Sequence, residues 1–372
     1  MNRRTILTLS SFVALCALIR GGRTGFAAPA QIEANAETQA IVAATMAFLN
    51  ALGPEQREKV QFPFTRQPMA TAADFKGGLH GNMTFVGEQY GQAMWSDLPV
   101  SDVPRPGLRL GSLSAPQRDA VMHMLQVLVS AKGYQKVLDI MGSDQALGED
   151  THFAASPEYY VLGIFGAPSP TTPWMVQFGG HHLALNVTMA GARGVLAPLA
   201  TGAQPALYTS GGKTVRVLAQ ENDIAFALVA ALDQSQRRQM MLNDYPGNLA
   251  LGPGHDGETI TPEGLKASAM TGLQRGMLVD LISEWAGIVN EAYAAPRIAE
   301  IEAGLDDTYF AWSGPTTPEP GRNGAAYFRI QGPKVIIEFA PQEIGWDLTM
   351  HVHTIYRDPT NAYGRAFFEH RS

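Results

Sequence analysis

Four of the nine histidines fall in two compact pairs, and nitrogen donors at such spacing are where this sequence holds the most chemistry. The segment Met350-His351-Val352-His353-Thr354 reads as a strand. Two imidazoles at i and i+2 on a strand share a face about 7 Å apart, close enough to grip one ion. The second pair lies in Phe178-Gly179-Gly180-His181-His182-Leu183. Read as a strand from His181 to Thr188, it sends its two imidazoles to opposite faces, so only one of them can serve a given site. His182 shares a face with Ala184, Asn186 and Thr188, whereas His181 goes with Leu183 and Leu185. If the two strands lie close, His351, His353 and one of His181 and His182 make a three-nitrogen site. That donor set, with one position left open, is used by catalytic zinc and also suits copper or iron.

A carboxylate would complete or serve such a site. Glu338 is the candidate ligand or base, because it interrupts the apolar strand Val335-Ile336-Ile337-Glu338-Phe339, where an acid needs a partner. Arg357 offers a planar fork for an anion, and Asp358 an acceptor that would orient a histidine. The competing explanation for these two is structural, since Asp358-Pro359-Thr360-Asn361 is good turn chemistry and Arg357 can pair with a neighbouring acid. His80 and His255 read as loop residues within reach of a pocket, and His123 as a helix residue. Trp174, Trp312 and Trp346 read as core aromatics; any that is exposed beside the site would favour a saccharide or other small-molecule ligand.

Other chemistries are excluded by what the sequence lacks. There is one cysteine, Cys16, so no internal disulfide and no thiolate zinc site can form. G-x-S-x-G and H-E-x-x-H are absent. Gly252-Pro253-Gly254-His255-Asp256-Gly257 matches a dinucleotide fingerprint in letters only, because Pro253 and Pro262 deny the helix that must follow. Gly212-Lys213-Thr214 has Leu207 where a phosphate loop needs its first glycine. The net charge of −7, with cations scattered, argues against a nucleic-acid partner.

Residues 1–30 read as an address. Arg3 and Arg4 precede an apolar run of 14 residues, Ile6 to Ile19, and the stretch ends Ala28-Pro29-Ala30. This is the pattern of a signal peptide, of twin-arginine type by its paired arginines, cut after Ala30. The run is short of the roughly 20 residues that a spanning helix needs, so no stable membrane insertion is expected after cleavage. Removal takes four arginines; 27 less 4 leaves 23 basic residues against 34 acidic, a net charge of −11. The expectation is an acidic, cysteine-free periplasmic or secreted protein, with residues 31–372 as one domain.

The remaining chain is read as α+β. Helical periodicity marks Ala36 to Leu52, a helix capped by Ser114 and running to Gly133, then Tyr134 to Leu147, Val217 to Leu232 and one long helix from Thr271 to Tyr293. Alternation marks strands at Tyr159–Phe165, Trp174–Phe178, His181–Thr188, Thr308–Trp312, Ala325–Ile330, Lys334–Phe339 and Leu348–Tyr356. Strand groups separated by helices predict an antiparallel or mixed sheet covered by helices.

Three stretches together carry a resemblance: Tyr159 through Ser169, Phe178 through Leu183, and His351-Val352-His353-Thr354-Ile355-Tyr356-Arg357-Asp358-Pro359. They resemble the bacterial DUF3500 family, over nearly all of the chain beyond the leader. The family brings no assigned activity. Its members often read Asn-Asp-Tyr-Gly near the C-terminus, where this chain has Asn361-Ala362-Tyr363-Gly364; if that acid serves a site, its loss weakens the site here.

Two functions of different classes follow. One is an exported metalloenzyme, a hydrolase or oxidase, with a divalent ion on His182 (or His181), His351 and His353. The other is a periplasmic ligand-binding or accessory protein whose histidines are structural.

Overall fold

A computed structural model describes residues 34–64, 71–74, 84–90, 93–100, 103–151, 155–255, 257–343 and 345–368. Cys16, the leader pattern and His80 lie outside them. Among the described residues, twelve strands form one sheet. Its order runs Gln61–Phe62, Val161–Phe165, Trp174–Gly180, Leu183–Ala190, Leu199–Ala203, Val352–Arg357, Ile336–Pro341, Tyr327–Gln331, Tyr309–Ser313, Leu265–Lys266. Leu108–Arg109 and Arg193–Leu196 attach beside this path. Every pairing is antiparallel except Gln61–Phe62 against Val161–Phe165, so the sheet is mixed and the fold α+β.

The sheet is two meanders sewn together at one seam, Leu199–Ala203 against Val352–Arg357. Residues 204–308 supply helices that cover one face. Side chains on that face fix the register of the second meander. Trp312, Phe328 and Phe339 lie opposite one another on three strands and stack with ring centroids 5.8 and 4.9 Å apart. Cross-strand pairs of this kind contribute roughly 0.5–1 kcal/mol each. The row continues to Thr354, whose hydroxyl meets Thr201 Oγ1 at 2.6 Å and accepts from Trp285 Nε1 at 2.9 Å. A slip of one residue would turn His353 into that aromatic core, so the row that locks Thr354 inward also places His353 on the opposite face. There His353 lies beside a smaller apolar cluster that includes Ala184, Ala200, Leu251, Ile336 and Ile355.

Helix starts follow the local chemistry. Asn35 accepts the Thr38 amide at 2.8 Å, and Ser114 with Gln117 forms a capping box; a cap of this type stabilises by about 1 kcal/mol. Two boundaries differ from expectation. The helix after Ser114 is Ala115–Leu128, and Gly133 lies inside the next one, Ala131–Thr151. Gly133 is there for closeness, since a Cβ would stand 2.2 Å from the Ile288 carbonyl oxygen. The expected long helix is two, Gly272–Ala286 and Glu291–Ala303, because Val289 leaves the helical path to bridge Val129. Among the described residues no helix is long and apolar enough to cross a membrane.

Candidate metal centre

At one rim of the sheet, five segments converge: the turn after Trp174–Gly180, the end of Leu199–Ala203, the start of Val352–Arg357, helix Ala131–Thr151 and the segment around Asp97. The turn is the main correction to the strand reading. Gly180 pairs with Leu183, which leaves His181 and His182 as a two-residue hairpin loop, and strand Leu183–Ala190 begins after them. His182 takes φ of +59°, a left-handed conformation that histidine tolerates better than most side chains. Released from strand alternation, both imidazoles fall on the same side, with ring centroids 3.6 Å apart.

Two glycines make room. A Cβ on Gly180 would stand 2.9 Å from the Tyr160 ring, whose hydroxyl donates to Asp144 Oδ2 at 2.8 Å and to the His181 carbonyl at 2.9 Å. A Cβ on Gly202, the register partner of His353, would stand 2.9 Å from His182 Cδ2.

Three ring nitrogens meet in the resulting space. His182 Nε2 lies 3.1 Å from His351 Nε2, which lies 2.6 Å from His353 Nε2. The other side of two of these rings faces a carboxylate: His353 Nδ1 contacts Asp97 Oδ2, and His182 Nδ1 is 3.4 Å from Asp144 Oδ1. A carboxylate at Nδ1 holds the proton there, so Nε2 of His182 and of His353 presents a lone pair. His351 Nε2 has at most one hydrogen to place between itself and those two. His182 and His351 stay neutral: burial first, then the neighbouring imidazoles, holds His182 well below the ordinary histidine range. The same causes push His351 down to about 2. Lone pairs therefore face one another in a largely buried pocket, an arrangement that a cation satisfies and a hydrogen-bond network does not. A tetrahedral ion with bonds of about 2.1 Å needs nitrogen–nitrogen edges of about 3.4 Å, so seating one opens the His182–His351 and His351–His353 gaps by less than about 1 Å each.

Burial alone would raise the Asp97 carboxyl; His353 outweighs it, with help from Arg105, and the net shift is downward. Asp144 moves up, because its burial exceeds what His181, Tyr160 and Arg105 return. Arg105 also ties the segments together: its Nη2 donates to the carbonyls of Ser96 at 2.7 Å and Gly180 at 3.1 Å. The His182 amide donates to the Asp97 carbonyl at 3.0 Å.

Of the residues expected at the site, His182, His351 and His353 are brought together, with ligand atoms all within 4.8 Å. His181 is adjacent, its Nδ1 3.1 Å from Asp144 Oδ1. Glu338 is placed elsewhere on the same face: it pairs with Ile355, two register pairs along from the Ala340–His353 pair. Its carboxylate accepts the amides of Ala250 at 2.6 Å and Leu251 at 3.1 Å. Arg357 donates to the Leu251 carbonyl at 3.1 Å, and Asp358 pairs with Arg297 at 2.9 Å. His255 is a surface residue bonded to Glu258. Trp174 and Trp312 are core, whereas Trp346 is 92% exposed.

Asp97 and Asp144 escaped the sequence reading. Asp144 left a signal, since it falls in the buried stripe of its helix with Val137, Ile140, Met141 and Leu147, where a carboxylate needs a reason. Asp97 left none.

An α+β sheet carrying an imidazole cluster on one rim is the class of protein that fold and site define. The family model for DUF3500, a protein family of unknown function, matches residues 80–365, and the chain belongs to that family. No curated protein and no solved structure matches it.

Proposed function

We propose that this chain is an exported metal-dependent hydrolase whose single divalent ion sits on Nε2 of His182, His351 and His353. The observation that carries this reading is the tautomer arithmetic: two Nε2 atoms are fixed as lone-pair donors by carboxylates, and both point at the third. Three neutral ligands leave the ion its full charge, so it supplies a Lewis acid that lowers the pKa of bound water. Asp97 and Asp144 hold the rings in place and keep their protons off the metal side. His351, the ligand that is only partly buried, marks the side from which solvent and substrate arrive. Zinc is the first choice for hydrolysis; the same nitrogens bind copper more tightly, and copper or iron would turn the centre to oxygen chemistry. Export rests on the pattern of residues 1–30 and places the working protein in the periplasm or outside the cell.

Elemental analysis of protein purified without chelator should find about one ion per chain, absent from a His351→Ala/His353→Ala variant. Equal metal content in the two proteins, or none in either after incubation with zinc, copper and iron salts, would leave the ligand-binding or accessory role instead.

A further inference from the structure

A second site lies at the far end of the strand that carries His353. A cavity of about 280 Å³ opens between strand Arg193–Leu196, helix Glu291–Ala303 and the turn that follows Arg357. Its volume lies just below the usual range for ligand pockets, about 300–1,000 Å³, which suits only a small ligand. His353 is the second residue of its strand and Asp358 stands just beyond the last, so about 17 Å of extended chain separates the cavity from the imidazoles.

The charges around the cavity do not balance. Arg193, Arg297 and Lys334 face Glu300 and Asp358. Arg297 takes both acids, with Nη1 3.0 Å from Glu300 Oε2 and Nη2 2.9 Å from Asp358 Oδ2. The other Asp358 oxygen accepts the amide and hydroxyl of Thr360, each at 2.8 Å. Lys334 Nζ is left with the Thr360 hydroxyl at 3.1 Å, and the Arg193 guanidinium lies 4.9 Å above the Phe367 ring. Neither cation meets a carboxylate among the described residues. The cavity is thus net positive in a chain of net charge −7. Its wall is in part apolar: Val195, Pro296 and the edge of the Phe367 ring line one portion, beside the buried Tyr293, whose hydroxyl is spent on Thr38 at 2.5 Å.

We infer that this cavity binds a small organic monoanion, a carboxylate on an apolar or aromatic body. The carboxylate would sit between Lys334 and Arg193, and the body against Tyr293 and Phe367. Two cations that meet no carboxylate select for charge, and the apolar part of the wall selects against a bare inorganic ion.

Calorimetric titration with benzoate tests this, with benzamide as the uncharged isostere and inorganic phosphate as the anion without a body. Carboxylates also bind metal ions, so the titration is run on chelator-treated wild type and on the His351→Ala/His353→Ala variant. Saturable one-to-one benzoate binding is expected in both, weaker by on the order of tenfold for benzamide and for phosphate. Lys334→Ala and Arg193→Ala should each weaken benzoate on the order of tenfold while the thermal midpoint of the free protein holds. The inference is overturned if benzoate does not bind at millimolar concentration, if benzamide or phosphate binds as well, or if the two cation variants bind normally. A signal lost in the histidine variant would also overturn it, by assigning the binding to the imidazoles. The metal reading stands or falls separately on metal content.

Discussion

Two buried polar clusters share one face of the sheet, two register pairs apart, and they are built on opposite rules. Around Glu338 donors are aimed at acceptors. The carboxylate accepts two amides from Ala250 and Leu251, Arg357 donates to the Leu251 carbonyl, and Arg329 pairs with Glu263 at 3.1 Å. Around His351 like meets like, three nitrogens converging where the hydrogens available cannot fill the gaps. Donors matched to acceptors mark a cluster that holds structure, here the anchoring of Ala250, Leu251 and Glu263 against the sheet. Convergent lone pairs mark one that holds something else. Polarity and burial alone do not separate the two; the direction of the donors does.

The sharpest way to break this contrast is to fill the space on which the metal cluster depends. Gly202→Ala adds one methyl group 2.9 Å from the His182 ring and 2.6 Å from the Val352 carbonyl oxygen. Contacts that short must relax, and whether the His182 ring or the Val352 strand gives way, the spacing of the three imidazoles changes. Metal content should fall to a small fraction of wild type, while the circular dichroism spectrum is retained. Metal content unchanged by this substitution would count against His182 as a ligand.

The Glu338 cluster should respond to pH and be indifferent to metal. Burial, only partly offset by the loop amides and the two arginines, raises its carboxyl from 4.5 to about 7. A raised carboxyl favours the folded state when protonated, so its contribution is complete below about pH 4.5 and is lost as pH rises through about 7. The full swing is on the order of 3 kcal/mol. Glu338→Gln imitates the protonated form, so urea unfolding of the variant from pH 4.5 to 8 should lack that decline. His182 and His351, held below their ordinary 6.5, tilt stability the other way, losing it as pH falls. The difference between the wild-type and variant curves isolates Glu338. Parallel curves would show that its proton is not coupled to folding.

The contrast also explains what could be read from the letters. His-x-His is legible because strand periodicity sends both rings toward one side, although the strand runs from Val352 to Arg357 rather than from Leu348 and leaves His351 just ahead of it. Glu338 was legible as an anomaly, an acid in an apolar strand, but its partners are backbone amides of residues 250 and 251, which any sequence would supply. The turn at His181-His182 hides behind its β-like flanks: nothing in Gly-Gly-His-His-Leu announces that the hairpin closes on the two histidines rather than on the glycines. Gly180 is spent on close approach to Tyr160 and Gly179 on close approach to the Leu183–Ala184 backbone, as Gly202 is on His182. Such needs arise only from strand pairing and tertiary packing. The helix break at Gly287 was hidden for the same reason, since a bridge to Val129 imposes it.

The smallest effect is the most discriminating, because it sets the two carboxylates of the metal cluster against each other. Asp97 is held below its ordinary pKa chiefly by His353, against a burial that pulls the other way, so it is an anion committed to one imidazole. Asp144 is raised by burial and divides its oxygens among His181, His182 and Tyr160. If the carboxylates act by fixing the tautomer of a ligand, the undivided one should matter more. Replacing a residue of this kind costs about 10–100-fold in metal affinity. Asp97→Asn should fall at the upper end of that range and Asp144→Asn at the lower, in competition titrations with a chromophoric chelator. In Asp144→Asn, Tyr160 still donates to the His181 carbonyl and His182 still bonds the Asp97 carbonyl through its amide, so the turn keeps two of its anchors. The reverse order would place the decisive constraint on the turn rather than on the tautomer, and the geometry of His181-His182 would then govern affinity.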